Sequence, residues 1–350
     1  MVRMLKWFFP SCLALTLSVL SLPARAQHNF KTVQDIAANP DLKPGVIIPM
    51  GTTRTSGQEV VPKRRSPFSG SVKADAAASA HHGTRFPADV QYHGGSVIDT
   101  ATQHALFVNP SSACPANSCW GDPIGFLTDL GYSRFIHVSD QYVNSDDSNR
   151  YPVGTNFIVP GYAPSAGAGM PFTNLDLALA AYFVASQTGG FGDNNIYHLF
   201  LVPGQDVCFD NTFTQCYSPD NANTFAFCAY HSSVQDSAGN VVVYTVEPYQ
   251  NVAGCNVAPD TPNGQLVDST NNVLSHETFE TITDPHADAW WNSLDNGIFG
   301  EEIADECQFL FFTSTASYFD PAVVRLNHKL YAVQQEYSNL HHACVANARD

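Results

Sequence analysis

Two short acidic segments dictate what this chain has to bring together. Ser275-His276-Glu277-Thr278-Phe279-Glu280 is followed, twenty residues on, by Gly300-Glu301-Glu302-Ile303-Ala304-Asp305. On a helix, residues four apart stand one above the other, so His276 and Glu280 project from one face. Glu277 lies about 100° further round and points beside them. Joint use of these groups requires the helix to run against the second segment. Asp268 or Ser269 is suited to open that helix. Pro285 predicts its end near Asp284, because the residue before a proline avoids helical geometry.

The spacing matches the zincin signature H-E-x-x-H, with Glu280 in place of the second histidine. In that chemistry two residues one turn apart hold the metal, and the glutamate between them activates water. The predicted metal ligands are therefore His276, Glu280 and Glu302 (or Glu301), with Glu277 as general base. Asp305, one turn beyond either glutamate, is expected to hold His276 through its other ring nitrogen. One imidazole and two carboxylates nearly cancel a divalent charge, which weakens the acidification of bound water. Zinc is the first expectation because His276 is present, and oxygen-rich ligation also admits Mn²⁺ or Ca²⁺. The plain alternative is an exposed acidic helix on which His276 is a surface residue.

Other candidates are more isolated. His231 ends an expected strand after Cys228 and is a catalytic candidate that polarises a carbonyl or stabilises an oxyanion in the cleft, or else is hydrogen-bonded in the core. His286, in the turn after Pro285, either swings toward the metal or is solvated. Trp290 and Trp291 either line a cleft or fill the core. Asp146-Asp147 with Asn149 reads as a solvated acidic loop rather than a Ca²⁺ site. Glu277 and Glu302, as paired carboxylates, also suit a glycoside hydrolase. No G-x-S-x-G elbow supports a serine hydrolase.

The start of the chain reads as a secretory signal over residues 1–26: basic Arg3 and Lys6, an apolar run from Trp7 to Leu22, then Ala24-Arg25-Ala26. Export, to an extracellular or periplasmic space, is the expectation, with no later segment apolar enough to span a membrane. Eight cysteines remain after Cys12 leaves with the signal. An even number in an exported chain favours disulfides. Nearest-neighbour pairing predicts Cys114–Cys119, Cys208–Cys216, Cys228–Cys255 and Cys307–Cys344, although spacing alone does not fix connectivity. The formal charge of −16 becomes more negative when Arg3, Lys6 and Arg25 are lost. Such acidity argues against nucleic acid as a partner. It suits an extracellular enzyme acting on a peptide or protein, or association with cell-wall polysaccharide.

Residues 27–87 are rich in Pro, Gly, Ser, Thr and Ala and read as a flexible arm, or as a propeptide cleaved near Lys63-Arg64-Arg65. From residue 88 onward the texture is that of one globular domain. Ala105–Asn109, Phe135–Val138, Tyr197–Val202 and Tyr331–Tyr337 are expected strands. Thr224–His231 and Val241–Val246 are expected to pair across Ser237–Asn240. Helices are expected over Ile124–Leu130, from Asn174 or Asp176 to about Ser186, over the motif, and briefly from about Gly300. Without regular βαβ alternation, the expected class is α+β: a single zincin-like domain with a mixed sheet, a motif-bearing helix and disulfide stabilisation.

These residues resemble the EXORDIUM/phosphate-induced-protein family of plants and its bacterial relatives. The resemblance rests on His276-Glu277-Thr278-Phe279-Glu280, Thr283-Asp284-Pro285, Trp290 and Glu302-Ile303-Ala304-Asp305-Glu306-Cys307. Cys228-Ala-Tyr-His231, Tyr92-His93-Gly94-Gly95 and the terminal Gln335-Glu-Tyr-Ser-Asn339 with Cys344 add to it. The match spans roughly Val90 to Cys344. It implies an apoplastic or otherwise extracellular protein, and favours Glu302 over Glu301 because the family's glutamate directly precedes Ile-Ala-Asp. Where plant members carry a glycine-rich region, this chain has Phe309-Leu-Phe-Phe312.

Overall fold

The computed structural model describes residues 89–144, 149–292, 302–308, 319 and 321–348. The expected signal (1–26), the arm or propeptide (27–87), Asp146-Asp147, Glu301 and the helix start near Gly300 lie outside the described residues. In chain order the elements are β1 (Gln91–Tyr92), β2 (Thr102–Val108), α1 (Pro123–Gly131), β3 (Phe157–Val159), β4 (Phe172–Thr173), α2 (Asn174–Thr188) and β5 (Asn195–Leu201). Next come β6 (Val207–Cys208), β7 (Cys216–Tyr217), β8 (Tyr230–Gln235), β9 (Val241–Glu247), α3 (Gln265–Thr283) and β10 (Trp290–Trp291). The chain closes with α4 (Asp305–Gln308), β11 (Ala322–Leu326), β12 (Lys329–Val333), β13 (Glu336–Ser338) and β14 (Ala343–Val345).

The architecture is mixed α+β, with several small sheets around a five-stranded one. That central sheet has the order β3-β2-β5-β9-β8. Its first four strands are parallel and only β8 runs antiparallel, on β9. Strands such as Ile196–Leu201 and Val242–Val246 are apolar almost throughout, as sheets covered on both faces require. Side chains alternate accordingly. Leu106, Val108, Tyr197, Leu199, Val242, Tyr244 and Val246 join Leu177, Ala181 and Val184 of α2 in one cluster. Ala105, Phe107, Ile196, Phe200 and Val243 join Phe126 and Leu130 of α1 and Leu274, Phe279 and Ile282 of α3 in a second. Helices thus cover both faces.

Local signals explain most element ends. Thr173 and Asp176 form a reciprocal capping box at the start of α2, and Gly189, at φ 71°, closes it. The motif helix begins at Gln265, earlier than expected, with Gly264 as N-cap. Asp268 sits in its first turn and accepts from the Asn263 backbone N–H at 2.8 Å and from the Asn263 amide. The helix ends at Thr283, with Asp284 as C-cap before Pro285.

Three expected strands differ. Phe135–Val138 lies in a 3₁₀ segment, Ile136–Gln141. There Ser133 accepts from the Ile136 backbone N–H, and Ser139 donates to the Ile136 carbonyl, so local bonds replace strand pairing. The strand expected at Thr224–His231 starts only at Tyr230, because the chain before it is drawn aside by backbone bonds between Cys216 and the Thr224–Ala226 stretch. The expected Tyr331–Tyr337 strand breaks at Gln334 into β12 and β13.

The four disulfides join Cys114–Cys119, Cys208–Cys216, Cys228–Cys255 and Cys307–Cys344. Among the described residues, no helix is long and apolar enough to cross a membrane.

Candidate metal centre

The motif helix α3 is polar in sequence yet lies inside the protein, and that contrast defines the site. His276, Glu277 and Glu280 are each 0 % exposed. The neighbouring threonines are satisfied within the helix: Thr278, Thr281 and Thr283 donate to the carbonyls of Leu274, Glu277 and Phe279. The acidic groups are served far less well: Glu280 Oε1 accepts from the Asp305 backbone N–H at 3.1 Å, and the other carboxylate oxygens of the motif have no partner. Both oxygens of Glu277, Oε2 of Glu280 and Nε2 of His276 are buried without a hydrogen bond. Buried polar atoms are nearly always bonded, so a concentration of orphans at one place calls for an explanation.

Sheet register brings His231 to the same place. His198, Thr245 and His231 are direct cross-strand neighbours on β5, β9 and β8. They form a polar row on the face that α1 and α3 cover. His231 Nδ1 lies 3.5 Å from Glu277 Oε2 and 3.6 Å from Glu280 Oε2. Its Nε2 lies 3.0 Å from the Asp284 carbonyl, which can only accept, so Nε2 carries the hydrogen and Nδ1 is left facing the carboxylates. This arrangement ties up the N–H that an oxyanion-binding role for His231 would need.

His276 is held in a parallel manner. Gln334 Nε2 donates to the Ala304 carbonyl, which leaves Oε1 to accept from His276 Nδ1 at 3.0 Å. His276 Nε2 then faces Glu280 Oε1 at 3.0 Å and Asp305 Oδ1 at 3.5 Å. His276 Nδ1 is thus bonded to Gln334 rather than to Asp305, which lies on the Nε2 side of the ring. Glu302 comes within 3.7 Å of His231 Nε2, with its Oε1 unpartnered. Among the described residues, the side chains able to hold a metal ion therefore fall into two groups: His276, Glu280 and Asp305, and His231, Glu280 and Glu302. Within each group one atom per residue lies within 4.8 Å of the others.

Burial and charge set the protonation of the cluster. Burial raises the Glu277 carboxyl to about 7, against the opposing pull of His231 and His276. Burial also raises Glu280, but His276 and His231 outweigh it and hold Glu280 at about 2. Burial lowers His231, yet Glu277 and Glu280 overcome this and lift it to about 10. His276 rises likewise, through Glu280 and Asp305, against the same opposing effect of burial. Glu302 rises through burial and the charge of Glu280, and Asp305 reaches about 7 for the same two reasons. Without a metal, protons and imidazolium charge take up part of the excess negative charge. A divalent cation would displace them, since imidazole and carboxylate ligate only when deprotonated.

Across protein families, curated proteins and solved structures, the chain matches nothing.

The residues present fit a cation. Separations of 3.0–3.6 Å from His276 Nε2 to Glu280 and Asp305 and from His231 Nδ1 to Glu280 are near the ligand-to-ligand edges of about 3.0–3.4 Å expected around an ion with bonds of about 2.1 Å. Three participants were not legible from the motif. Gln334 orients His276, Glu336 is fully buried with both oxygens unpartnered, and Glu247 ends β9 with its Oε2 unpartnered. A terminal glutamate on the largely apolar Val241–Glu247 run was the one available signal. Burial holds Glu247 and Glu336 well above the usual carboxylate range. Glu247 Oε1 accepts from Thr245, whose hydroxyl oxygen is 2.9 Å from His198 Nδ1, so the polar row connects to the cluster.

Other sequence candidates lie elsewhere. His286 contacts Ser233 at 2.7 Å and Asp193 at 3.3 Å and belongs to neither ligand group. Trp290 packs on Tyr92 and Tyr142, and Trp291 stacks on His93 at 3.7 Å.

Proposed function

We propose that this is a secreted, metal-dependent hydrolase acting on peptide bonds, with His276 and Glu280 at its core. The observation that carries the reading is the convergence of unpartnered, fully buried nitrogen and oxygen atoms from α3, β8 and the 302–305 segment. A divalent ion held there supplies Lewis-acid activation of water and of a carbonyl oxygen. His276, Glu280 and Asp305 would hold it, with Glu302 nearby. Zinc is the favoured ion, given the imidazole ligands, and Mn²⁺ is next. Glu277 projects beside the ligands with both oxygens free of hydrogen bonds and accepts the proton from water. Gln334 fixes the ring of His276 so that Nε2 stays bare. His231, locked by the Asp284 carbonyl, lies next to Glu277 and sets its orientation and charge. The four disulfides and the EXORDIUM-like motifs support the extracellular setting.

Metal analysis of native protein purified without chelator, combined with Glu277→Gln, tests this reading. Bound metal retained in the variant, with proteolysis lost, is the expected result. Absence of metal from native protein, or unchanged proteolysis in the variant, would overturn it. Complete burial of the ligands favours a second reading, a non-catalytic extracellular protein that keeps a structural ion and binds wall or matrix polysaccharide. That reading predicts polysaccharide binding unaffected by Glu277→Gln and no turnover. Release of reducing sugar without metal would instead indicate a glycosidase.

A further inference from the structure

We propose that the centre holds two divalent transition-metal ions bridged by the carboxylate of Glu280. The inference rests on the reading that the cluster binds metal, and deepens it. Glu280 divides its oxygens: Oε1 lies 3.0 Å from His276 Nε2, and Oε2 lies 3.6 Å from His231 Nδ1. Each histidine has its other ring nitrogen tied to an oxygen acceptor, Gln334 Oε1 for His276 and the Asp284 carbonyl for His231. Each therefore presents one lone pair, and the two lone pairs face opposite oxygens of the same carboxylate. A carboxylate whose oxygens serve different nitrogen donors has the form of a bridge.

Each position also has further carboxylate: Asp305 beside His276 Nε2 at the first, and at the second Glu277 beside His231 Nδ1, with Glu302 on the Nε2 side of that ring and within 4.8 Å of the group. The unpartnered atoms are shared between the positions in the same way: His276 Nε2 and Asp305 Oδ1 at one, His231 Nδ1, Glu280 Oε2 and Glu302 Oε1 at the other. A single ion at the first position would leave the second set unexplained. Charge leads to the same conclusion. Glu277, Glu280, Glu302 and Asp305 carry four negative charges when ionised, in a space almost closed to solvent. One divalent ion compensates only half of that charge, with the buried Glu247 and Glu336 adding to it when ionised, and uncompensated buried charge is strongly unfavourable, so a second ion is favoured. Glu277 faces the second position, its Oε2 3.5 Å from His231 Nδ1, which sets the general base beside the bridged pair. The ligand sets, one imidazole with carboxylates at each position, suit Mn²⁺ or Zn²⁺ better than Ca²⁺, which takes oxygen ligands.

The test is metal stoichiometry with a magnetic readout. Chelator-stripped full-length protein is titrated with Mn²⁺ and followed by electron paramagnetic resonance, with Zn²⁺ content of native protein measured by elemental analysis. Two ions per chain are expected, and the six-line Mn²⁺ spectrum should give way to an exchange-coupled one as the second equivalent binds. Glu280→Gln should abolish the coupling, and His231→Gln should reduce the stoichiometry to one. The wild-type spectrum decides the matter even where a variant does not fold. One ion per chain without coupling would overturn the bridged pair while leaving the metal-dependent reading standing. Two uncoupled ions would overturn the bridge. No bound ion would overturn both readings.

Discussion

The bridge between Cys307 and Cys344 ties the segment that carries Glu302 and Asp305 to β14. Closing a loop with a sequence separation of 37 residues stabilises the fold by about 4 kcal/mol on chain entropy. Three hydrogen bonds also seat the segment: Tyr337 N–H to the Ile303 carbonyl at 2.7 Å, Gln334 Nε2 to the Ala304 carbonyl at 2.5 Å, and Asp305 N–H to Glu280 Oε1 at 3.1 Å. At about 1 kcal/mol net each, they amount to slightly less than the covalent tie. The double variant Cys307→Ser/Cys344→Ser should therefore lose about 4 kcal/mol in urea denaturation under metal-free conditions. It should also bind metal at least about tenfold more weakly in a competition titration, because seating the ligands then costs at least about 1.4 kcal/mol of the binding energy. Cys208→Ser/Cys216→Ser is the control. Its sequence separation is only 8 residues, so it should cost about 2.5 kcal/mol, and its cysteines belong to neither ligand group. If the Cys307/Cys344 variant loses stability but keeps wild-type metal affinity, the 302–305 segment does not carry ligands and the reasoning fails.

Gln334→Leu frees Nδ1 of His276 and should weaken metal binding by about 10–100-fold with the fold retained. Unchanged affinity in the same competition titration would show that the amide does not orient the ring. His198 is buried and neutral, its pKa lowered from 6.5 to about 3 by burial and then by His104. Between those values the unfolded chain binds the proton that the folded chain refuses, so this residue's contribution falls as pH drops below 6.5, by about 2 kcal/mol at pH 5. Replacing it with Gln should flatten the stability profile over that interval, and an unchanged slope would contradict the assignment. Phe279→Ala removes a fully buried ring that packs on Phe135 at 4.7 Å. Denaturation should report a loss of about 3–5 kcal/mol, and a loss under 1 kcal/mol would show that the α3 interface collapses around the gap.

The amino-acid order determined what is local. Four-residue spacing placed His276 and Glu280 on one helical face, and Pro285 ended that helix; the nearest-neighbour cysteine pairing was one of the options the spacing left open, and the fold selected it. Tertiary structure alone decided what is distant. A polar stretch such as Ser275–Thr283 gives no sign of being an interior helix, since its burial comes from the sheet, α1 and the closing strands packed around it. His231 joins the centre through the register of β8 on β9, where one residue of slip would turn it to the opposite face. Gln334 and Glu336 enter through a break between two strands, and Asp305 faces Nε2 of His276 because Gln334 already holds Nδ1. These contacts join residues up to 71 positions apart in sequence (His231 and Glu302), so packing rather than local spacing selects them.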